Sequence, residues 1–200
     1  MTLWCGNGDW NIPVSINISA HELRNGDLAE KVKRVLTERA LSQQLIKLEL
    51  TETTLLEDLD IAKPVLDELT SFGIGIHIDD FGTGYSSLSY LAELPVEALK
   101  IDRSFVAQLT KSKTGPRVVR AVVALAEAMS LEVIAEGVET TEQCTLVQQL
   151  GCNLAQGYLI ARPMHGSALP NWCAESRNAV TGQIDKDQSS IRELVRQPSP

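Results

Sequence analysis

LIKLELTETTLLEDLDIAKPVLDELTSFGIGIHIDD, residues 45–80, holds the fold in miniature. Leu45–Leu50 (LIKLEL) is a short apolar run of strand length. Ile61–Phe72 places apolar residues at 61, 62, 65, 66, 69 and 72, the spacing of one helix face. Gly73 stands where such a helix ends. Ile74–Ile78 (IGIHI) is a second apolar run. Strand, helix and strand of these lengths form a βαβ unit, and that unit requires a parallel sheet.

Outward from this unit the pattern repeats. Ile12–Ile18 (IPVSINI) precedes it as a strand, followed by a helical period from Leu28 to Leu41. On the other side comes a short helix, Ser86–Leu94, stopped near Pro95, and then a strand, Val96–Ile101. Phe105–Leu109 starts a helix that Lys111–Pro116 interrupts and Arg117–Met129 resumes. Leu131–Ala135, the helix Thr141–Leu150 and a weaker strand, Asn153–Tyr158, complete six βα units ending near Met164.

Right-handed crossovers leave two closures for such a chain, a barrel or a doubly wound sheet. No glycine-rich phosphate loop opens the first helix, which disfavours a dinucleotide fold. A (β/α)8 barrel needs eight units and about 250 residues. The expectation is therefore an α/β chain, either an open sheet or a barrel lacking two units. From Ala174 the apolar periodicity fades. Residues 1–172 are expected to be the folded part and 173–200 a polar, disordered tail.

Composition narrows the function. Lys and Arg total 18 against 26 Asp and Glu, a net charge of -8. That balance opposes a nucleic-acid polymer as partner, which would need a basic face. No apolar run approaches the length of a membrane helix, so no membrane segment is expected. Met1–Trp10 lacks the basic flank and apolar stretch of a signal peptide. Cys5, Cys144, Cys152 and Cys173 form no CxxC pair. They read as free thiols in a reducing cytosol, hence a cytoplasmic protein.

The chemistry is carried by position. Each strand closes in an oxygen-bearing residue or a charge: Asn17; Glu49 with Thr51 and Glu52; Asp79 and Asp80; Lys100 and Asp102; Glu136 with Glu139; Gln156. In parallel α/β folds the site sits at that edge. A single carboxylate after a strand is more often an N-cap for the next helix. Asp102 before Ser104, Glu52 before Leu55 and Glu139 before Thr141 all fit that plainer role. Six strand ends of one kind weaken it. Carboxylates gathered there repel one another and need protons or cations. All-oxygen ligands favour Mg2+ or Mn2+. Lys100 either faces a phosphate oxygen or pairs with Asp79 or Asp80. His77, deep in its strand, reads as a packed histidine. In DDFGTGYSSL (Asp79–Leu88), Gly82 and Gly84 flank Thr83 and permit a sharp loop, with Tyr85, Ser86 and Ser87 leading into a helix.

With these motifs in view, the chain resembles the EAL domain, the bacterial cyclic-di-GMP phosphodiesterase family. INIS (Ile16–Ser19), LELTE (Leu48–Glu52), DDFGTGYSSL, LKIDRSFV (Leu99–Val106), AEGVET (Ala135–Thr140) and QGYL (Gln156–Leu159) occur in family order. The resemblance implies a TIM-type (β/α)8 barrel, with about six units present here. It implies a two-metal site for Mg2+ or Mn2+ and hydrolysis of cyclic-di-GMP to pGpG. Asn17, Glu49, Asp79, Asp80 and Glu136 match metal ligands, with Asp80 also at the second metal. Lys100 matches the lysine near the attacking water, and Glu136 a general base or ligand. Glu139, Gln156, Phe81 and Asp102 match supporting residues. Glu52 matches the anchor of the loop Gly82–Ser87, which contributes dimer contacts in the family. A homodimer through that loop, or a complex with another EAL or GGDEF protein, follows as an expected partnership.

The family also carries a Glu-Ala-Leu triplet on an early strand, a metal ligand, with a substrate-binding arginine shortly after it. No such motif precedes the asparagine strand here. The expectation is a weakened metal site, weak or absent hydrolysis by this chain alone, and poor stability or oligomerisation. The alternative is an inactive EAL module that binds cyclic-di-GMP or a partner protein.

Overall fold

The computed structural model describes residues 13–83 and 88–182. The chain divides into two compact units, residues 1–100 with 126–131, and residues 101–125 with 132–200.

In the first unit β1 (Val14–Asn17), β2 (Ile46–Thr51), β3 (Gly75–Phe81) and β4 (Ala98–Ile101, less its last residue) are neighbours in chain order. β1 and β2 are parallel, with Val14 opposite Ile46 and Asn17 opposite Glu49. β2 and β3 are parallel, with Lys47 opposite Gly75 and Thr51 opposite Asp79. Ile46, Leu48 and Leu50 on β2 and Ile76 and Ile78 on β3 are all buried. Helix-covered parallel strands are buried on both faces and so read as near-continuous apolar runs.

Five helices accompany these strands: α1 (Ala20–Arg24), α2 (Leu28–Glu38), α3 (Glu52–Glu57), α4 (Leu59–Ser71) and α5 (Leu88–Leu91). On α4, Ala62, Leu66 and Leu69 recur at helical spacing and are fully buried. Each of those leucines contributes roughly 1.5–3 kcal/mol by leaving water. Lys33 of α2 bonds Glu68 of α4 at 2.8 Å and lies 5.5 Å from the centre of the Phe72 ring. At the other end of the strands Lys47 meets Glu97 at 2.5 Å. A Cβ at Gly75 would fall onto both of those charged groups, so glycine makes room for the pair.

In the second unit β5 (Glu132–Glu136) and β6 (Leu154–Gln156) are parallel, with Ile134 opposite Leu154 and Glu136 opposite Gln156. Asn153 clamps the entry to β6. Its side chain accepts from the Val133 amide at 2.7 Å and its own amide donates to the Val133 carbonyl at 2.9 Å. The helices are α6 (Arg103–Ala107), α7 (Thr114–Ala128, whose last three residues belong to the first unit), α8 (Thr141–Gln149) and α9 (Leu169–Gly182). Val106, Val119, Val133, Ala135, Val138 and Val147 form an aliphatic core, as the aromatic-poor composition requires.

Four helix ends close in one way. The amide of Leu41, Ile74, Leu131 or Cys152 bonds the carbonyl five residues back, at 2.9 to 3.1 Å. The residue before each is left-handed: Ala40, Gly73, Ser130 and Gly151. This is the Schellman closure, which satisfies carbonyls the helix leaves open.

The six expected strands are all present, with bounds shifted by a few residues. Two helices had no periodic signal. α1 is five residues long and rests on a capping box, Ser19 with Glu22. α3 is capped by Thr51, whose hydroxyl accepts from the Thr54 amide at 3.2 Å. α7 starts at Thr114, because Pro116 in a first helical turn forfeits no helical bond. The boundary expected at 172/173 falls inside α9, where Cys173 is buried. Residues 183–200, Met1–Trp10 and Ile12 lie outside the described residues. Cys144, Cys152 and Cys173 are free and buried, while Cys5 also lies outside. No described helix is long and apolar enough to cross a membrane.

Candidate functional site

In the first unit the strand ends converge. Lys100, at 2% exposure, donates to Glu49 Oε2 at 2.6 Å and lies 3.1 Å from Asp79 Oδ1. Glu49 is 7% exposed, and the Asp79 side chain 16%. Two carboxylates on β2 and β3 thus reach one ammonium on β4. The plainer expectation of a lysine–aspartate pair holds as far as Asp79, and Glu49 makes the stronger bond. A pair this deep is costly to desolvate and survives only with good geometry and further hydrogen bonds. Asp79 Oδ1 gains one from the Asp80 amide at 3.0 Å. Asn17 sits beside Glu49 in register, exposed, and the next amide, Ile18, bonds the Glu49 carbonyl at 2.8 Å.

Asp80 turns the chain out of β3. Its φ is +54°, a left-handed value that aspartate tolerates better than most residues. Its carbonyl accepts from the Thr83 hydroxyl at 2.9 Å. Glu52, the first residue of α3, is 1% exposed and reaches across to the Gly82 amide at 3.2 Å. The loop is thereby tied to the helix that follows β2. Glu52 does not cap its own helix; Thr51 does. Phe81 is buried and packs in the core. Gly84, Tyr85, Ser86 and Ser87 lie outside the described residues.

His77 stands opposite Glu49 on β3, one step deeper than Asp79 on the same face. It is 8% exposed, and its Nδ1 has no hydrogen-bond partner. Burial, then the nearby Lys47, hold its imidazole below the ordinary histidine range. It is the packed histidine that its place in the strand suggests.

In the second unit the strand-end residues are less buried. Asp102 caps α6, accepting from the Ser104 amide at 3.0 Å, the plainer of its two expected roles. Glu136 ends β5 half-buried, opposite the exposed Gln156. Glu139 is exposed, and only its backbone serves α8: its amide donates to Gln143 Oε1 at 2.8 Å. Thr140 is the cap, in a capping box with Gln143. Two glycines that sequence reasoning passed over shape this edge. A Cβ at Gly157 would collide with the Val138 backbone, and one at Gly137 with Arg103. Their places inside AEGVET and QGYL were the available signal.

Burial pushes the Cys152 thiol up to about 12 and raises Cys144 as well, so neither is a nucleophile. A Glu-Ala-Leu triplet does occur, at Glu97–Leu99, but Glu97 opens β4 at the opposite strand end and pairs with Lys47. It is not the early-strand ligand of the family.

Comparison with known proteins gives the family. The chain is 43% identical over 171 residues to the bifunctional diguanylate cyclase/cyclic di-GMP phosphodiesterase MucR of Pseudomonas aeruginosa, covering 84% of this chain and 25% of that protein. It is 41% identical over 162 residues to the cyclic di-GMP phosphodiesterase PdeR of Escherichia coli, covering 81% and 24%. The chain therefore spans about a quarter of these relatives. Among solved structures, the PaMucR phosphodiesterase in complex with c-di-GMP matches with a TM-score of 0.79 and 40% identity over 84% of this chain and 68% of that one. The manganese/cyclic-di-GMP complex of Klebsiella pneumoniae BlrP1 matches with a TM-score of 0.71 and 34% identity, over 76% and 39%. These likenesses give the fold as that of an incomplete EAL barrel. The EAL domain model matches residues 1–163, and the chain belongs to the EAL domain family.

Proposed function

We propose that this chain carries the greater part of a divalent-metal-dependent cyclic-di-GMP phosphodiesterase site. The observation that carries the reading is the buried Lys100 held by Glu49 and Asp79 at the carboxyl ends of β2 to β4. Their three formal charges sum to -1 in a place shielded from water, which favours an added cation. Every donor is oxygen, the set that suits Mg2+ or Mn2+. Glu49, Asp79 and Asp80 would hold the ion, with Asn17 beside Glu49; the resemblance adds Glu136. Such an ion, when bound, makes water more acidic and offsets the negative charge of a phosphodiester.

The protein's own groups do the rest. Lys100 bridges the two carboxylates and fixes their orientation. It also offers a donor to a phosphate oxygen or the attacking water. Glu136 is proposed as the base that takes the proton of that water. Hydrolysis forms one P–O bond to water oxygen and breaks the bond to a ribose oxygen, which is protonated as it leaves; the product is linear pGpG. Glu52 holds the start of the loop by accepting a hydrogen bond from the Gly82 amide, which supports that loop as a contact for a second copy. The buried free thiols support a reducing, cytoplasmic setting.

The test is conversion of cyclic-di-GMP to pGpG in Mg2+ or Mn2+ by the chain and by Glu49→Ala and Asp79→Ala. We expect hydrolysis that drops at least about a hundredfold in both variants. Activity that survives both would overturn the site. Nucleotide that is bound but never cleaved would make the chain a binding module.

A further inference from the structure

We propose that the outer face of α7 is a docking site for an acidic segment of a partner protein. Residues 101–125 carry Arg103, Lys111, Lys113, Arg117 and Arg120 against one acid, Asp102. They amount to +4 within a chain of -8, so the other 175 residues carry -12. All five cations are exposed, and none makes an ion pair among the described residues. The first unit pairs most of its cations: Arg24, Lys31, Lys33, Lys47, Lys63 and Lys100 have carboxylate partners, while Arg34 and Arg39 make no ion pair among the described residues.

The cations are also aligned. Arg117 and Arg120 lie about one turn apart on one face of α7, and Lys113 stands immediately before its first residue, so the three follow i, i+4, i+7 spacing at the amino end. Lys111 stands just before them, in a turn where the Lys111 and Ser112 amides bond the Gln108 carbonyl at 3.1 and 3.0 Å. A Cβ at Gly115 would collide with the Gln108 backbone, so the end of α6 and the start of α7 are in close contact. The placement runs against the helix dipole. α7 has no acid in its first turn, and its one acid, Glu127, lies in its last. Cations at the amino end and an anion at the carboxyl end are both unfavourable in isolation. An anion laid along the stripe would reverse the first of these.

A short acidic segment fits better than the alternatives. A membrane or a nucleic-acid duplex is an extended anionic surface and would repel the -12 carried elsewhere. A segment confined to the stripe engages the +4 of residues 101–125 and need not cover the acidic remainder of the chain. The face between the cations offers only Ala121 and Ala124, with no large apolar side chain to enter a bilayer. A second copy offers its exposed acids outside the printed ion pairs, such as Glu30, Glu38 and Asp60, singly rather than as a run that matches the stripe. Asp27, Glu57, Asp58, Asp67, Glu68 and Glu97 are already paired within their own chain.

Fluorescence anisotropy of a labelled oligoglutamate peptide titrated with the full chain tests this. The result expected is saturable binding that weakens with salt. Arg117→Glu with Arg120→Glu should reduce it at least about tenfold. Arg34→Glu with Arg39→Glu, an exposed unpaired pair on and beside α2, should leave it unchanged. No binding, or equal loss in both double variants, would overturn the proposal. So would binding of anionic phosphatidylglycerol vesicles or duplex DNA without the peptide. Self-association in sedimentation that the Arg117/Arg120 reversal abolishes would hand the face to a second copy and also overturn it.

Discussion

The strand ends of the two units carry similar residues and use them differently. In the first unit Glu49, Glu52 and Lys100 are buried, with Asp79 half-buried, and their side chains bond one another or a loop amide. In the second, Asp102 serves as a helix cap and Glu139 only through its backbone, Gln156 is exposed, and Glu136 alone is a half-buried carboxylate that ends a strand. A carboxylate after a strand is therefore an ambiguous signal, and burial with a charged partner resolves it. A cap needs only one nearby amide and stays wet. A buried carboxylate must be paired, and the pairing marks the place where a cation would be welcome.

That contrast can be broken by substitution. Lys100→Ala leaves Glu49 and Asp79 facing each other without their ammonium. We expect a loss of about 3–5 kcal/mol in urea unfolding. A loss under about 1 kcal/mol would mean that the triad is relaxed or hydrated and that burial does not separate the two groups.

His77→Leu probes the layer beneath. The orphan Nδ1 costs about 1–3 kcal/mol, so the variant should be as stable as the parent or more so. Burial keeps the folded imidazole below its ordinary range, so the unfolded chain binds that proton first. Stability tied to His77 is thus present above about pH 6.5 and is lost as pH falls through the lowered folded value. Between neutral and mildly acid pH, Tm of the parent should fall more steeply than that of His77→Leu. Parallel slopes would contradict the buried, neutral assignment.

Asp102→Ala should produce a small effect, about 0.5–2 kcal/mol from the lost cap, with cyclic-di-GMP binding intact. A large loss of binding would move Asp102 from cap to site and erase the contrast between the units.

Much of this was legible in the sequence. The βαβ unit at 45–80 declared itself by apolar period, because burial on both strand faces leaves few polar interruptions. Glu49, Asp79 and Lys100 followed from strand-end position alone. What position could not supply was pairing: Glu49, not only Asp79, holds Lys100, and that depends on how the strands align two residues that are 51 apart in sequence. Glu52 looked like a local cap because its target, Gly82, is 30 residues away. α1 was missed although Ser19 and Glu22 spell a capping box, since five residues offer no periodicity to read. α9 was missed for a different reason. Its apolar side is sparse, and Cys173 is the one buried residue among its described side chains.

The central claim is that the oxygen cluster around Lys100 is the divalent-ion site. Calorimetric titration of Mn2+ into the chain, Asp79→Asn and Asp102→Asn measures it without requiring turnover. The account predicts binding that weakens about 10–100-fold in Asp79→Asn and is unchanged in Asp102→Asn. Equal affinity in all three proteins would contradict it.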